Sequence, residues 1–242
     1  MIRILKAGAL VLTGVAFAAC GGDSNAPDAR FACLGATLPT TAPSTITVSG
    51  QTKGNVLSPN ALGGVEIIVS RTGTDTLGAD TSDTPGRYSI TIATGGTPVS
   101  GYLQLKKSGG YVPTFAYPSR PLFQDDTTNV LMITSGEFTA LAAAASITPT
   151  AGAGFIGLVV SDCQGNPLTG ATVTSSPAGT VRYNIGGLPN QAATSTAADG
   201  VAYIVNVAAG SVQINATASG HALRQVVVNA RADAITLTEI QP

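Results

Sequence analysis

The stretch Ser161-Asp-Cys-Gln-Gly-Asn-Pro-Leu-Thr-Gly-Ala-Thr-Val173 constrains this chain more than any other. It reads as a strand end, a turn carried by Gln-Gly-Asn-Pro, and a second strand under way at Val173. Gly and Asn tolerate the backbone angles of tight turns, and Pro interrupts a ladder. Such punctuation recurs throughout, with 29 Gly and 14 Pro, while only 10% of residues are charged. Between the turns apolar and polar residues alternate. Val212, Ile214, Ala216 and Ala218 are interleaved with Ser211, Gln213, Asn215 and Thr217, the period of a half-buried strand. Many short strands at this density predict an all-β sandwich rather than a helical fold.

A weaker copy of the turn region lies at Leu62-Gly-Gly-Val-Glu-Ile-Ile-Val69. Around it, strands are expected at Thr45 onward, 65–70, 87–92, 101–107, 111–117 and 128–134. The last, Asn129-Val-Leu-Met-Ile-Thr134, is apolar on both faces and needs cover on each side. The next segment can supply it. Phe138, Leu141, Ala142 and Ala145 fall at i, i+3, i+4 and i+7, Thr134 and Glu137 have capping-box spacing, and Pro149 follows. This predicts a short helix over 135–147. A second set of strands is expected at 155–161, 170–175, 180–185, 192–197, 201–207, 211–218, 222–229 and 233–240. The resulting organisation is a leader (1–19), a tether rich in Gly, Ser, Thr and Pro (20–44), a first sandwich (45–134), a helix and linker (135–152) and a second sandwich (153–242).

In the leader, Arg3 and Lys6 precede an apolar run from Ala7 to Ala18, too short to span a bilayer comfortably. It ends Phe17-Ala-Ala-Cys20-Gly-Gly. These residues resemble a bacterial lipoprotein signal, which implies cleavage before Cys20, lipidation of Cys20 and a membrane partner reached through the lipid. Gly21 resembles the choice for outer-membrane sorting, so the expected address is the outer membrane, facing periplasm or exterior. Without residues 1–19, Lys+Arg falls from 12 to 10 against 13 Asp+Glu, a net charge of −3. That balance gives nucleic-acid binding no electrostatic support. With Cys20 lipidated, Cys33 and Cys163 remain, and an even pair in an exported chain favours a disulfide over two separate thiols.

The two sandwiches correspond piece by piece. Leu62-Gly-Gly-Val parallels Leu168-Thr-Gly-Ala, Thr84-Pro-Gly-Arg-Tyr88 parallels Ala198-Asp-Gly-Val-Ala-Tyr203, and Ser108-Gly-Gly-Tyr111 parallels Ala218-Ser-Gly-His221. Gly157, Val159, Asp162, Gly165, Pro167, Leu168, Gly170, Ala171 and Val173, followed by Asp199-Gly200 and Gly220-His221, resemble the carboxypeptidase regulatory-like domain. That is a transthyretin-like (prealbumin-like), Ig-like antiparallel sandwich. The resemblance covers most of 154–242 and is weaker over 45–134. It implies an accessory module without catalytic residues of its own. With the internal correspondence and the predicted helix, the expectation is two tandem sandwiches joined by a short helix, with no cofactor. One departure concerns phase: Tyr88 lies two residues after Gly86, but Tyr203 lies three after Gly200. Either a bulge shifts the second strand or its inward face is the other one.

Candidate chemistry is sparse. His221 is the only histidine, so zinc sites with several His ligands, and the two-His iron site of intradiol dioxygenases, cannot be assembled. No G-x-S-x-G is present for a nucleophile. Asp75, Asp80 and Asp83 share a loop but lack EF-hand spacing, and no metal site is expected. Tyr102, Tyr111, Phe115, Tyr117 and Phe123 crowd one region. Period two places Tyr111, Phe115 and Tyr117 on one face, either as core or as an exposed platform for a sugar ring or protein. The sequence therefore points to a non-catalytic envelope module with an envelope-protein partner, or to a glycan-binding surface lipoprotein using that aromatic face.

Overall fold

The structure, a computed structural model, describes residues 28–242; the expected leader and Cys20 lie outside the described residues. The first strands are β1 (Thr45–Gly54), β2 (Asn60–Ala61), β3 (Glu66–Ser70), β4 (Gly78–Thr81), β5 (Arg87–Ala93), β6 (Tyr102–Lys106), β7 (Thr114–Ala116), β8 (Asp126–Thr127) and β9 (Val130–Leu131). Helix α1 (Ser135–Ala144) follows. Then come β10 (Gly154–Val160), β11 (Thr172–Ser176), β12 (Thr180–Ile185), β13 (Leu188–Asn190), β14 (Val201–Val207), β15 (Gly210–Ala218), β16 (His221–Ala222), β17 (Val226–Ala230) and β18 (Ile235–Ile240). The all-β sandwich class is the one the alternation predicts.

A nine-stranded sheet runs through the molecule in the order β13-β12-β14-β10-β18-β7-β6-β3-β4. Its two halves come from opposite ends of the chain and meet where β18 pairs in parallel with β7, Ile235 opposite Thr114 and Leu237 opposite Ala116. A five-stranded sheet built around β1 and β5 and a four-stranded sheet built around β15 complete the layers.

This joint explains the phase of Tyr203. Register between β10 and β14 runs unbroken from Phe155 opposite Val205 to Val159 opposite Val201, so no bulge intervenes near Tyr203. The irregularity lies at the far end, between Gly154 and Phe155, where Asn206 takes φ 59°. The strand is instead buried on both faces. Ala202 and Ile204 enter the core of the second sandwich, with Ile156, Leu158, Val212 and Ile214. Val201, Tyr203 and Val205 enter the first core, with Ile67, Leu105, Met132, Ile235 and Leu237. The bulkier face thus points away from the second sandwich's own core, into a core shared by segments 45–134 and 153–242.

The closing segment Val130–Ile133 is buried throughout and belongs to that shared core. Beside it α1 begins at a capping box, Thr134 with Glu137. Burial pushes the Glu137 carboxyl up, but the Thr134 and Val56 amides outweigh it and hold the acid below its usual range. Phe138 meets Phe155 edge-on at 5.3 Å, and Arg182 Nε donates to the Ala145 carbonyl at the helix end (3.0 Å). That cation at the C-terminus also opposes the helix dipole.

One turn geometry occurs twice. The Thr52 amide donates to Gly86 O (2.7 Å) and its carbonyl accepts from Leu62 N (3.0 Å); Val160, Gly200 and Leu168 repeat this at 2.8 and 2.8 Å. The Ser82 hydroxyl donates to Leu62 O and accepts from the Val65 amide. Thr196 does the same with Leu168 O and the Ala171 amide. At Gly86 and Gly200 an added Cβ would stand 2.5 Å from the carbonyl oxygen of Thr52 or Val160, so both turns require glycine. Asp162 closes the organising turn by accepting from the Gln164 and Asn166 amides (2.9 and 2.8 Å).

Two sequence expectations differ locally. Residues 192–197 form a turn rather than a strand, because Thr196 is engaged by Leu168 and Ala171 as above. Strand β4 runs inside the Thr/Asp/Gly-rich segment 71–84, pairing Glu66 with Thr81 and Val69 with Gly78. It lies at a sheet edge with no fully buried residue, so it carries no apolar alternation to announce it.

Cys33 and Cys163 are disulfide-bonded across 130 residues. Around the bond the Cys163 amide donates to Arg30 O (2.9 Å), and Phe31 is buried in the second core. The chain-entropy picture gives a loop of that length about 5 kcal/mol of stabilisation. Intact mass should rise by two hydrogens on reduction, and Cys33→Ser should lower the free energy of urea unfolding by several kcal/mol. An unchanged mass would show that the thiols are free.

Thr238 is fully buried on β18 and its Oγ1 has no hydrogen-bond partner. Burying a hydroxyl without a partner costs roughly 1–3 kcal/mol, and valine has nearly the same shape. Thr238→Val is expected to be at least as stable as the parent in urea titration. A clear loss of stability would show that the hydroxyl is bonded.

Candidate functional site

Next to the β7–β18 joint, on the face opposite the shared core, Arg231 reaches from the loop between β17 and β18 into the aromatic residues of the first sandwich. Its guanidinium lies 3.9 Å from the Phe115 ring centre and 4.6 Å from that of Tyr102. It donates to the hydroxyls of Tyr102 (2.5 Å) and Tyr117 (3.0 Å). Tyr102 and Tyr117 stack at 4.5 Å. The aromatic residues singled out by period two therefore separate. Phe115 is buried and Tyr117 half-buried in this cluster, whereas Tyr111 bridges to Thr134 and packs on the shared core. Strand β7 spans only three residues, so alternation does not extend back to Tyr111. Burial raises the Tyr117 hydroxyl above its usual pKa, against the opposing effect of Arg231.

Outside this cluster lies a cleft of about 440 Å³ between the two sandwiches. Leu38 of the tether, Arg71 and Tyr102 of the first sandwich, the turn 117–121 and residues 224–227 of the second line it. Each arginine is set by its local backbone. Arg71 follows β3 in a turn organised by Asp75, whose Oδ1 accepts from the amides of Arg71 (2.9 Å) and Thr72 (2.8 Å) and from the Ser70 hydroxyl (2.7 Å). The Thr72 amide first, then the Ser70 hydroxyl, hold the Asp75 carboxyl well below its usual range. A folded value lowered in this way stabilises the turn above the ordinary carboxylate range, and the effect is lost as acid brings the pH below it. Gly73 at φ 93° brings the turn against Tyr102, whose hydroxyl would be 2.8 Å from an added Cβ. Arg120 sits between Pro118 and Pro121, its guanidinium 5.3 Å from the Phe123 ring centre. Arg224 donates from Nη2 to Ala36 O (2.9 Å), tying tether to sandwich. The sequence offered no signal for this convergence, because the arginines are far apart in the chain.

Elsewhere, His221 stacks on Phe31 at 4.4 Å, against the docked tether. Asp80 and Asp83 bind backbone amides of Ser89 and Arg87 (2.8 and 2.6 Å). Among the described residues no group of three or more His, Cys, Asp or Glu is placed to hold a metal ion, and no helix is long and apolar enough to cross a membrane.

The fold and cleft define a two-core β-sandwich protein with its arginine-lined groove at the joint. No family model and no curated protein matches the chain. Solved structures similar to it include the Bacillus anthracis TIE protein, 13% identical over 80% of this chain and 33% of that one, TM-score 0.25. Shaft pilin SpaA from Lactobacillus rhamnosus GG is 11% identical over 82% and 98%, TM-score 0.26. The Streptococcal ancillary pilin is 12% identical over 82% and 62%, TM-score 0.26. The chain spans about a third of the TIE protein's length.

Hydrogen bonds to a charged donor contribute about 1.5–3 kcal/mol each and cation–π contacts about 0.5–2 kcal/mol. Arg231→Met keeps much of the stem but removes both. We expect it to lower unfolding free energy by about 2–4 kcal/mol, with Arg231→Lys recovering less than half. Parent-like stability in Arg231→Met would show that the cluster does not hold the joint.

Proposed function

We propose that this chain is a non-catalytic, lipid-anchored cell-envelope protein that serves as a structural and interaction module, its second sandwich of the carboxypeptidase regulatory-like type. The observation that carries the reading is the docked tether. The disulfide, the buried Phe31 and the Arg224–Ala36 bond fix residues 30–36 to the second sandwich. A chain reaching from a lipidated Cys20 to Asp28 crosses eight peptide steps, at most about 30 Å at 3.3–3.6 Å each. Reaching from Cys20 to the first strand at Thr45 without docking would allow about 85 Å. The docking converts a long leash into a short one and determines which sandwich sits nearest the membrane. The twice-repeated Gly86/Gly200 turn supports a common origin of the two sandwiches. The leader and Cys20 support the outer membrane, facing periplasm or exterior, as the address.

Wild-type protein in cells should incorporate labelled fatty acid and fractionate with membranes, and Cys20→Ser should do neither. Membrane association that persists in Cys20→Ser, with no label in wild type, would remove the anchor from this reading.

A further inference from the structure

We propose that the cleft between the sandwiches binds an acidic sugar, one whose carboxylate or phosphate is held by Arg71, Arg120 and Arg224. The proposal rests on the envelope-module reading above and names a ligand for it. Three of the seven arginines in 28–242 converge here, and none of the fourteen residues lining the cleft is an acid. Among the described residues none of the three is in an ion pair; the ion pair present joins Arg30 to Asp28. Arg224 donates to Ala36 O and Arg120 lies over Phe123, but neither contact supplies a counter-charge to the three cations. Like charges brought together without a counter-charge repel one another, and an oxyanion relieves that repulsion. The planar guanidinium fork matches carboxylate and phosphate oxygens two at a time.

The remaining lining selects the kind of anion. Ser100, Ser119 and Gln225 place hydroxyl and amide groups among the arginines, suited to the hydroxyls of a sugar. Half-buried Tyr117 and Val227, 53% exposed, supply apolar surface for the C–H face of a ring. The volume falls in the range of about 300–1,000 Å³ usual for small ligands, the scale of a short oligosaccharide. Net charge argues against a nucleic acid, since the protein as a whole is acidic. The cleft also needs both sandwiches. Arg71 comes from one and Arg224 from the other, so the Arg231 clamp sets the distance between them.

The test is calorimetric titration of the mature chain with trigalacturonic acid, glucose 1-phosphate, neutral maltotriose and a glutamate-rich peptide. Binding of at least one acidic sugar is expected, weakened by salt, with no detectable heat from maltotriose. The double variant Arg71→Gln/Arg120→Gln should lose about tenfold or more in affinity, as the loss of charge-assisted pairs implies, while keeping its melting temperature. The carboxylated and phosphorylated probes tell which oxyanion is preferred. Equal binding of maltotriose, no binding of either acidic sugar, or unchanged affinity in a folded double variant would overturn the proposal. Tighter binding of the peptide than of both acidic sugars would overturn the sugar assignment. Fatty-acid labelling of the same variant separates the two readings: anchorage retained while sugar binding is lost leaves the envelope reading standing.

Discussion

Three residue pairs between β7 and β18 decide the architecture. Without that parallel contact, the nine-stranded sheet would divide in two and expose two new edges, at β7 and β18. The ladder itself is a small part of the energy. Its few backbone hydrogen bonds contribute about 1 kcal/mol each. The pairing also brings the faces of β10, β14 and β18 that carry Phe155, Val201, Tyr203, Val205, Ile235 and Leu237 into the first core. Burying side chains of that size contributes about 1.5–3 kcal/mol apiece. Burial outweighs the ladder, and the hydrogen bonds serve mainly to set register.

The same constraint explains which parts of the fold were legible in the sequence. Strands with one wet face announced themselves: β5 and β15 alternate cleanly, and their burial follows the pattern. The turns were legible because glycine is required there; Gly86 and Gly200 lie where an added Cβ would clash with a carbonyl. The capping box at Thr134 and Glu137 gave the helix start. Strands buried on both faces have no such signature. In β14 every residue but Asn206 is buried, so the phase of Tyr203 pointed at a choice the sequence could not make. Edge strand β4 failed for the opposite reason, having no buried face to mark.

Of the site, Cys33 with Cys163 was legible because compartment and parity restrict cysteines far more than packing restricts other residues. The aromatic group was visible as a cluster, but not its division, since Phe115 and Tyr117 serve the Arg231 clamp while Tyr111 serves the shared core. Arginines have no pattern that predicts convergence. Arg71, Arg120 and Arg224 line one groove, and Arg231 packs beside it on Phe115, because the β7–β18 joint brings distant segments together.

Clamp and cleft are therefore consequences of a single joint, and the docked tether meets them at Arg224. Residue Ala36 of the docked tether accepts from Arg224, and Arg224 lines the cleft. Leu38, two residues further on, forms part of the cleft wall. The docked N-terminal segment thus also shapes the groove. A load applied through the N-terminal segment meets the second sandwich first, at Cys163, and reaches the first sandwich across the sheet joint and the Arg231 clamp. The disulfide takes up that load before it can reach the tether between Cys33 and Thr45. The groove keeps its wall as long as the disulfide holds, and its two halves stay in register as long as β7 and β18 remain paired.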